Sequence, residues 1–431
     1  MPRCAPRTSA TDERMGGDDV KRNKVVGALA VLGLVVAMSS VAAGAPAQRA
    51  AGGTRGVTDD TITVAGLGFA GFYQDSAVGA QARFDKANNN NEIPGGRRIE
   101  FVGFRDDGSD PSKNLDEGRK LVQEDQVFAV VPVSTPFLGA SDFFAQNKTP
   151  FVGWGIASGF CENPFGFGFS GCLTPEDPKT AASTWGDLIK KGNFNDNAKG
   201  KTAAVIAEDN DSGASGIRTI SASAKSAGFK VVYSKNPVPP LPATVSDYTP
   251  FANEIMSSNN GKPPDAVFLT LAVNNVTGLQ NKLLELGYQG VLTNAVGYDP
   301  RLATGFVGSS VYIQFNAFES AQQGNTAMQQ IIDEIRAVKP DQMLTQPVLA
   351  GYLSADMFVQ MLKKTGRNLT ATRFARAANR NFRYDPKNVA GPIRFPAGHE
   401  TGHACGTLVE SDGTNYTIKV PFDCYKRVKV G

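Results

Sequence analysis

Apolar and polar positions change period repeatedly along this chain, and the changes mark out strands and helices. Thr61–Gly66 is a β-branched apolar run suited to a buried strand, and Val78–Asn88 carries a helical pattern. Arg98–Phe104 predicts a second strand. Pro111–Asp125 spaces its apolar residues for a helix and opens on an Asp-Pro start signal. Val127–Val133 is apolar throughout and predicts a third strand, followed by a helix at Leu138–Gln146 and a fourth strand at Pro150–Gly153. Strands alternating with helices imply a parallel sheet with helices on both faces.

The same order starts again near residue 176. Helices are expected at Thr180–Lys191, Ser215–Ala227, Asp247–Ser257 and Val276–Leu286, with Gly228 and Gly287 as stops. Strands are expected at Thr202–Ala207, Lys230–Lys235, Ala266–Thr270 and Gly290–Asn294. Three more helices follow at Thr326–Val338, Val348–Lys364 and Thr372–Asn381. Two terminal strands, near Cys405–Val409 and Tyr416–Val420, flank a Ser-Asp-Gly-Thr turn. The expectation is an α/β fold of two Rossmann-like lobes with a hinge and an interlobe cleft. Ligands of open parallel sheets settle beyond the carboxyl ends of the strands, beside helix N-termini.

Composition adds the compartment. Lys21, Arg22 and Lys24 precede an uncharged apolar run, Val25–Met38, and then small residues to Ala47. That is the order of a secretory signal, with cleavage expected after Ala45-Pro46-Ala47 or, alternatively, at Val41-Ala42-Ala43. The run is shorter than the about 20 residues that a membrane span needs. Residues 1–47 are therefore expected to be a signal peptide, with Met15 as an alternative start, and 48–56 a disordered lead-in. No cysteine follows the apolar run, so no lipid anchor is expected. About 380 residues then remain, more than one core usually organises. The formal net charge is only +3, and most of it belongs to the leader. A near-neutral surface is no footprint for nucleic acid. Beyond Cys4 there are Cys161, Cys172, Cys405 and Cys424. An even count in an exported chain suggests disulfides, and short spacing favours Cys161–Cys172 with Cys405–Cys424 over four buried thiols.

Several motifs point elsewhere. His399-Glu400-Thr401-Gly402-His403 matches the zinc-protease pattern, which needs both imidazoles on one helical face. Pro396, Gly398 and Gly402 disfavour a helix there, and no third histidine exists, so an exposed loop is expected. Gly66-x-Gly68-x-x-Gly71 matches the dinucleotide fingerprint. Its helix starts late, near Asp75-Ser76, and the next acidic strand end lies well beyond the about 20 residues of ribose recognition. A ligand-facing loop accounts for those glycines better, and no cofactor is expected. Gly166-Phe-Gly168-Phe-Ser-Gly171 lies between two cysteines and predicts a closed loop, its phenylalanines either packed or forming a lid. Asp106, Asp107 and Asp110 are expected in turns and at a helix cap.

Residues 57–160 run ITVAGLGFAG, an amphipathic helix, NNNNEIPGGRR and IEFVGFRDDGSDPSKNLDEGRKLVQEDQVFAVV. This succession resembles the type I periplasmic solute-binding proteins of the branched-chain amino acid (Leu/Ile/Val-binding) transporters. AVIAEDNDSGASG and LQNKLLELGYQG resemble pieces of that family's second lobe, and the likeness extends over about residues 57–420. It implies a chain that crosses between lobes more than once: 57–175 in the first, 176–342 in the second, 343–390 back in the first, and 391–431 mainly in the second. It also implies a non-enzymatic, monomeric clamp that hands a small ligand to an ATP-powered membrane permease. Ligand contacts carry over to Ser134 and Thr135, to Trp154, Gly155, Ile156 and Ala157, and around the first loop to Phe72, Tyr73 and Val78. In the second lobe the corresponding loops hold Asp209, Ser212, Asn274 and Tyr298. Amino-acid binders of the family place an aromatic where this chain has Ser212 and an acid near Gly297, where only Asp299 is close. The ligand is thus expected to be larger or more apolar than leucine, or to lack an amine. A sensor ectodomain and an exported zinc hydrolase are the alternatives in other classes.

Overall fold

The computed structural model describes residues 53–431. The leader, its cleavage sites and Cys4 lie outside the described residues. In chain order the first lobe is β1 (Thr61–Gly68), α1 (Ala70–Tyr73), α2 (Ser76–Asn89), β2 (Arg98–Asp106), α3 (Pro111–Gln123), β3 (Ala129–Ser134), α4 (Ser141–Gln146), β4 (Phe151–Gly153) and β5 (Gly166–Gly168). Its five strands are all parallel, in the order β2-β1-β3-β4-β5. Every residue of β3 is buried, as a strand covered on both faces requires. Asp110 caps α3 by accepting from the Ser112 and Lys113 amides, and Asp106 and Asp107 take the turn amides of Gly108 and Ser109.

A short strand, β6 (Thr180–Ala182), leads into the second lobe: α5 (Thr184–Asn193), β7 (Thr202–Glu208), α6 (Asp211–Ala227), β8 (Lys230–Val238), α7 (Thr249–Met256), β9 (Ala266–Thr270), α8 (Val273–Glu285), β10 (Val291–Asn294) and β11 (Ser310–Ile313). The chain then forms α9 (Thr326–Val338), α10 (Gln346–Thr365), α11 (Ala371–Asn379), β12 (Phe382–Tyr384) and β13 (Ile393–Phe395). It ends in β14 (Cys405–Ser411), β15 (Tyr416–Cys424) and β16 (Arg427–Lys429). The second sheet runs β15-β14-β11-β10-β9-β7-β8, with β14 and β15 antiparallel. Among the described residues, no helix is long and apolar enough to cross a membrane.

Several expectations need correction. Thr180–Lys191 is not one helix: Thr180–Ala182 pairs with Arg427–Lys429, and the helix begins after Ser183. The partner strand lies at the far end of the chain, so local pattern could not show it. The return to the first lobe comes earlier than residue 343. Met328, Ile331, Ile332 and Ile335 of α9 are buried in a cluster with first-lobe residues such as Ile62 and Phe84, and the helix packs on α2. Their 3–4 spacing announces a buried face without saying which lobe buries it. Gly166–Gly168 is a sheet strand, with Phe167 and Phe169 buried in the core. The described part of the lead-in is tied down, since Arg55 Nε donates to the Val127 carbonyl and Thr54 Oγ1 to that of Leu369. Both disulfides, Cys161–Cys172 and Cys405–Cys424, are formed as spacing favoured.

α10 crosses α2 closely enough that both helices need glycine at the contact. A Cβ on Gly79 would stand 1.9 Å from the Val348 carbonyl oxygen, and one on Gly351 1.9 Å from that of Ser76. Gly351→Val should therefore destabilise the protein by about 1–3 kcal/mol through overpacking. Urea denaturation checks this; unchanged stability would mean that the helices part freely.

Candidate functional site

Loops at the carboxyl ends of both sheets enclose a cavity of about 280 Å³. The first lobe contributes Phe72 and Tyr73 after β1, and Trp154 and Ile156 after β4. The second contributes one face of α6, and the ends of β7, β9 and β11 at Glu208, Thr270 and Gln314. Trp154 anchors this wall. It is 5 % exposed, meets the Tyr73 ring edge-on at 6.2 Å and Phe315 at 5.7 Å, and its Nε1 donates to Gln314 Oε1 at 2.8 Å.

Glu208 is the acidic group of the opposite wall. Burial pushes its carboxyl above the usual range, against hydrogen bonds from the Ala272 amide and the side chains of Asn275 and Asn210. Its Oε1 accepts from the Ala272 amide at 2.9 Å and from Asn275 Nδ2 at 2.8 Å. Burial also raises the Tyr73 hydroxyl, helped by the charges of Glu208 and Asp107. The wall along α6 is mostly small residues, with Ser212, Gly213, Gly216, Thr219 and Ser223 beside Ile220.

Of the residues singled out in the sequence, Phe72, Tyr73, Trp154, Ile156 and Ser212 line the cavity. The others lie elsewhere. Ser134 and Thr135 are fully buried, Thr135 Oγ1 donating to the Phe137 carbonyl. Gly155 packs on the Gly171 carbonyl, and Ala157 lies in a core cluster with Leu138 and Phe160. Val78 packs on the first-lobe core. Asp209 and Asn274 are exposed; their neighbours Glu208 and Asn275 point inward instead. Tyr298 is buried, its hydroxyl donating to Glu319 Oε2 at 2.6 Å. Placement by loop gives segments that border the cavity, but one residue of register decides which side chain faces in. Missed altogether were Glu208, Gln314, Gln346, His403 and Arg427. The spacing of small residues along α6 was a signal for one wall; nothing local marks the last two.

The two-histidine segment is not an exposed loop. Residues Ala397–His399 form a 3₁₀ turn, and both imidazoles are buried. His399 Nε2 lies 2.6 Å from Asn379 Oδ1, and burial lowers each ring's pKa to about 4. Among the described residues, no group of three or more His, Cys, Asp or Glu could hold a metal ion.

Two α/β lobes closing on a cavity at their strand ends define a ligand-binding clamp. The periplasmic binding protein family model matches residues 34–415, and the chain belongs to that family. No curated protein sequence matches it. Among solved structures, a possible leucine/isoleucine/valine-binding protein from Rhodopirellula baltica has 15% identity and a TM-score of 0.67, covering 84% of this chain and 96% of its own. A solute-binding protein from R. palustris in complex with 4-hydroxybenzoate has 16% identity and a TM-score of 0.66, covering 85% and 98%. A fatty acid transporter substrate-binding protein from Thermomonospora curvata has 17% identity and a TM-score of 0.65, covering 86% and 95%. At these identities the likeness concerns the fold.

Proposed function

We propose that this protein is the extracytoplasmic solute-binding component of an ABC transporter, and that it carries an organic molecule more apolar than leucine to a membrane permease. The observation that carries this is the cleft between the lobes, with Trp154, Tyr73 and Phe72 on one side and α6 on the other. Ligand bridging both walls stabilises the closed form by its higher affinity for that state, and the closed form is what a permease recognises. A structural neighbour in complex with 4-hydroxybenzoate agrees with a small organic ligand. Apolar wall area and the missing aromatic at Ser212 speak against an amino acid.

A thermal-shift screen of the purified protein tests the reading, using amino acids, aromatic acids, aliphatic acids and polyamines, each with and without a zinc chelator. A ligand at 100 times its Kd adds about 2.7 kcal/mol to folded-state stability. One organic class should raise Tm by several degrees, unaffected by chelator. Destabilisation by chelator alone, with no organic ligand detected, would defeat the reading; a shift from leucine alone would defeat its ligand preference.

A further inference from the structure

Two polar groups on opposite walls of the cavity, the Tyr73 hydroxyl and the Glu208 carboxylate, keep hydrogen-bonding capacity that the protein leaves unused. Tyr73 belongs to α1, the short helix after β1, and is 9 % exposed. Edge-on contacts with the rings of Phe72, at 4.8 Å, and Trp154, at 6.2 Å, fix its own ring. Among the described residues its hydroxyl neither donates nor accepts a hydrogen bond. Unlike the Ser134 and Thr184 hydroxyls, it is not sealed from solvent-sized space. A tyrosine hydroxyl carries one proton to donate and can accept as well.

Glu208 ends β7 and is 8 % exposed. Among the described residues it is the one carboxylate of the cavity wall. Its Oε1 is well supplied by the Ala272 amide and by Asn275 Nδ2. Its Oε2 meets only Asn210 Nδ2, at 3.4 Å, which is longer than an ordinary hydrogen bond of that kind. A carboxylate has about four acceptor positions, so Oε2 has room for another donor. No cation stands beside it among the described residues: hydrogen bonds from Ala272, Asn275 and Asn210 are what offset its burial.

The two groups lie within electrostatic reach of each other, since the Glu208 charge helps to hold the proton on Tyr73, yet no hydrogen bond joins them. A ligand group between them has to donate to Glu208 and accept from Tyr73. An ammonium only donates, which leaves the Tyr73 proton without an acceptor. A carboxylate only accepts, and its charge repels that of Glu208. A hydroxyl does both and carries no charge. Around them the walls are apolar, with Phe72, Trp154 and Ile156 facing Ile220 and Leu271.

We propose, building on the solute-binding reading, that the ligand is an uncharged apolar molecule carrying a hydroxyl, which donates to Glu208 Oε2 and accepts from the Tyr73 hydroxyl. Tyr73 belongs to the first lobe and Glu208 to the second. One ligand oxygen thus links the two walls, and both bonds exist only while the lobes face each other, which gives the ligand its preference for the closed state.

Calorimetric titration with four probes of one body tests this: cinnamyl alcohol, its methyl ether, cinnamylamine and cinnamate. The alcohol should bind at least about 10-fold more tightly than the ether, the value of a hydrogen bond to a charged group, and more tightly than the amine or the acid. Tyr73→Phe and Glu208→Gln should each bring the ratio of alcohol to ether affinity toward one. Tyr73→Phe should also keep wild-type stability in urea, because its hydroxyl has no protein partner to lose. Equal binding of alcohol and ether by the wild type overturns the proposal without recourse to a variant. Tightest binding of the amine or of the acid overturns it too, as does an unchanged ratio in Tyr73→Phe. A loss of stability in Tyr73→Phe with all four probes weakened alike points to a structural hydroxyl and has the same consequence. If the alcohol fails to bind while another organic class binds, the hydroxyl assignment falls and the solute-binding reading stands. No organic ligand in this series or in the wider screen overturns both.

Discussion

Trp154→Ala should lower ligand affinity by about 100-fold or more and cost about 3–5 kcal/mol of stability, the range for a buried tryptophan. The side chain does two jobs that truncation ends together. Its rings fill the space between Tyr73, Phe169 and Phe315, so the cavity would lose a wall and its neighbours a packing partner. Its Nε1–H also holds Gln314, which stands at the end of β11 where the chain leaves the second sheet. The bond therefore ties a first-lobe loop to a segment leading out of the second lobe. Trp154→Phe separates the two contributions, because it keeps an aromatic wall and loses the donor. It should retain most of the stability and lose part of the affinity. Urea denaturation and calorimetric titration with the ligand found in the screen provide both readings. Wild-type affinity in Trp154→Ala would place the ligand elsewhere.

Arg83→Met should be of similar size for an electrostatic reason. Arg83 is 4 % exposed, and its guanidinium donates to Asp356 at 2.6 Å and to Glu92 at 2.8 Å, joining α2 to α10. Lys363 reaches Glu92 as well. Removing the central cation leaves carboxylates without their partner in a dry setting, typically at a cost of about 3–5 kcal/mol. Burial by itself raises the Glu92 carboxyl, but hydrogen bonds and charge from Arg83 and Lys363 bring it below its ordinary value. A carboxylate lowered by folding contributes stability above its unfolded pKa, about 4.3, and loses it as pH falls through the folded value. The gap between wild type and Arg83→Met should accordingly narrow between pH 7 and pH 3 in urea denaturation. A gap of constant width would mean that lost packing, and not charge, accounts for the change.

Much of this was legible before any coordinates. Alternating periods of two and 3.6 residues located most elements of both lobes, because each element's own apolar face is written locally. The α3 cap at Asp110 and the stop at Gly228 were legible for the same reason: capping groups act on backbone a few residues away. The pairing of Cys161 with Cys172 and of Cys405 with Cys424 followed from short spacing. Family likeness pointed to first-lobe loops of which Phe72, Tyr73, Trp154 and Ile156 line the cavity.

What failed shares a physical cause. β6 exists because β16 pairs with it, and β5 because it borders β4; neither three-residue strand has an apolar pattern long enough to announce itself. The buried state of His399 and His403 depends on Phe167, Phe395 and Asn379 around them, far away in sequence. Arg427 borders the cavity because the last strand, β16, returns to pair with β6. By itself, then, the sequence determined the α/β class, the two lobes and the disulfide pairing, all properties of local pattern or short spacing. Tertiary structure alone decided which side chains enter the cavity, since one residue of register turns a side chain inward or out. It alone brought Glu208, Gln314 and His403 to the same cavity as Trp154, because their separation along the chain is closed only by packing.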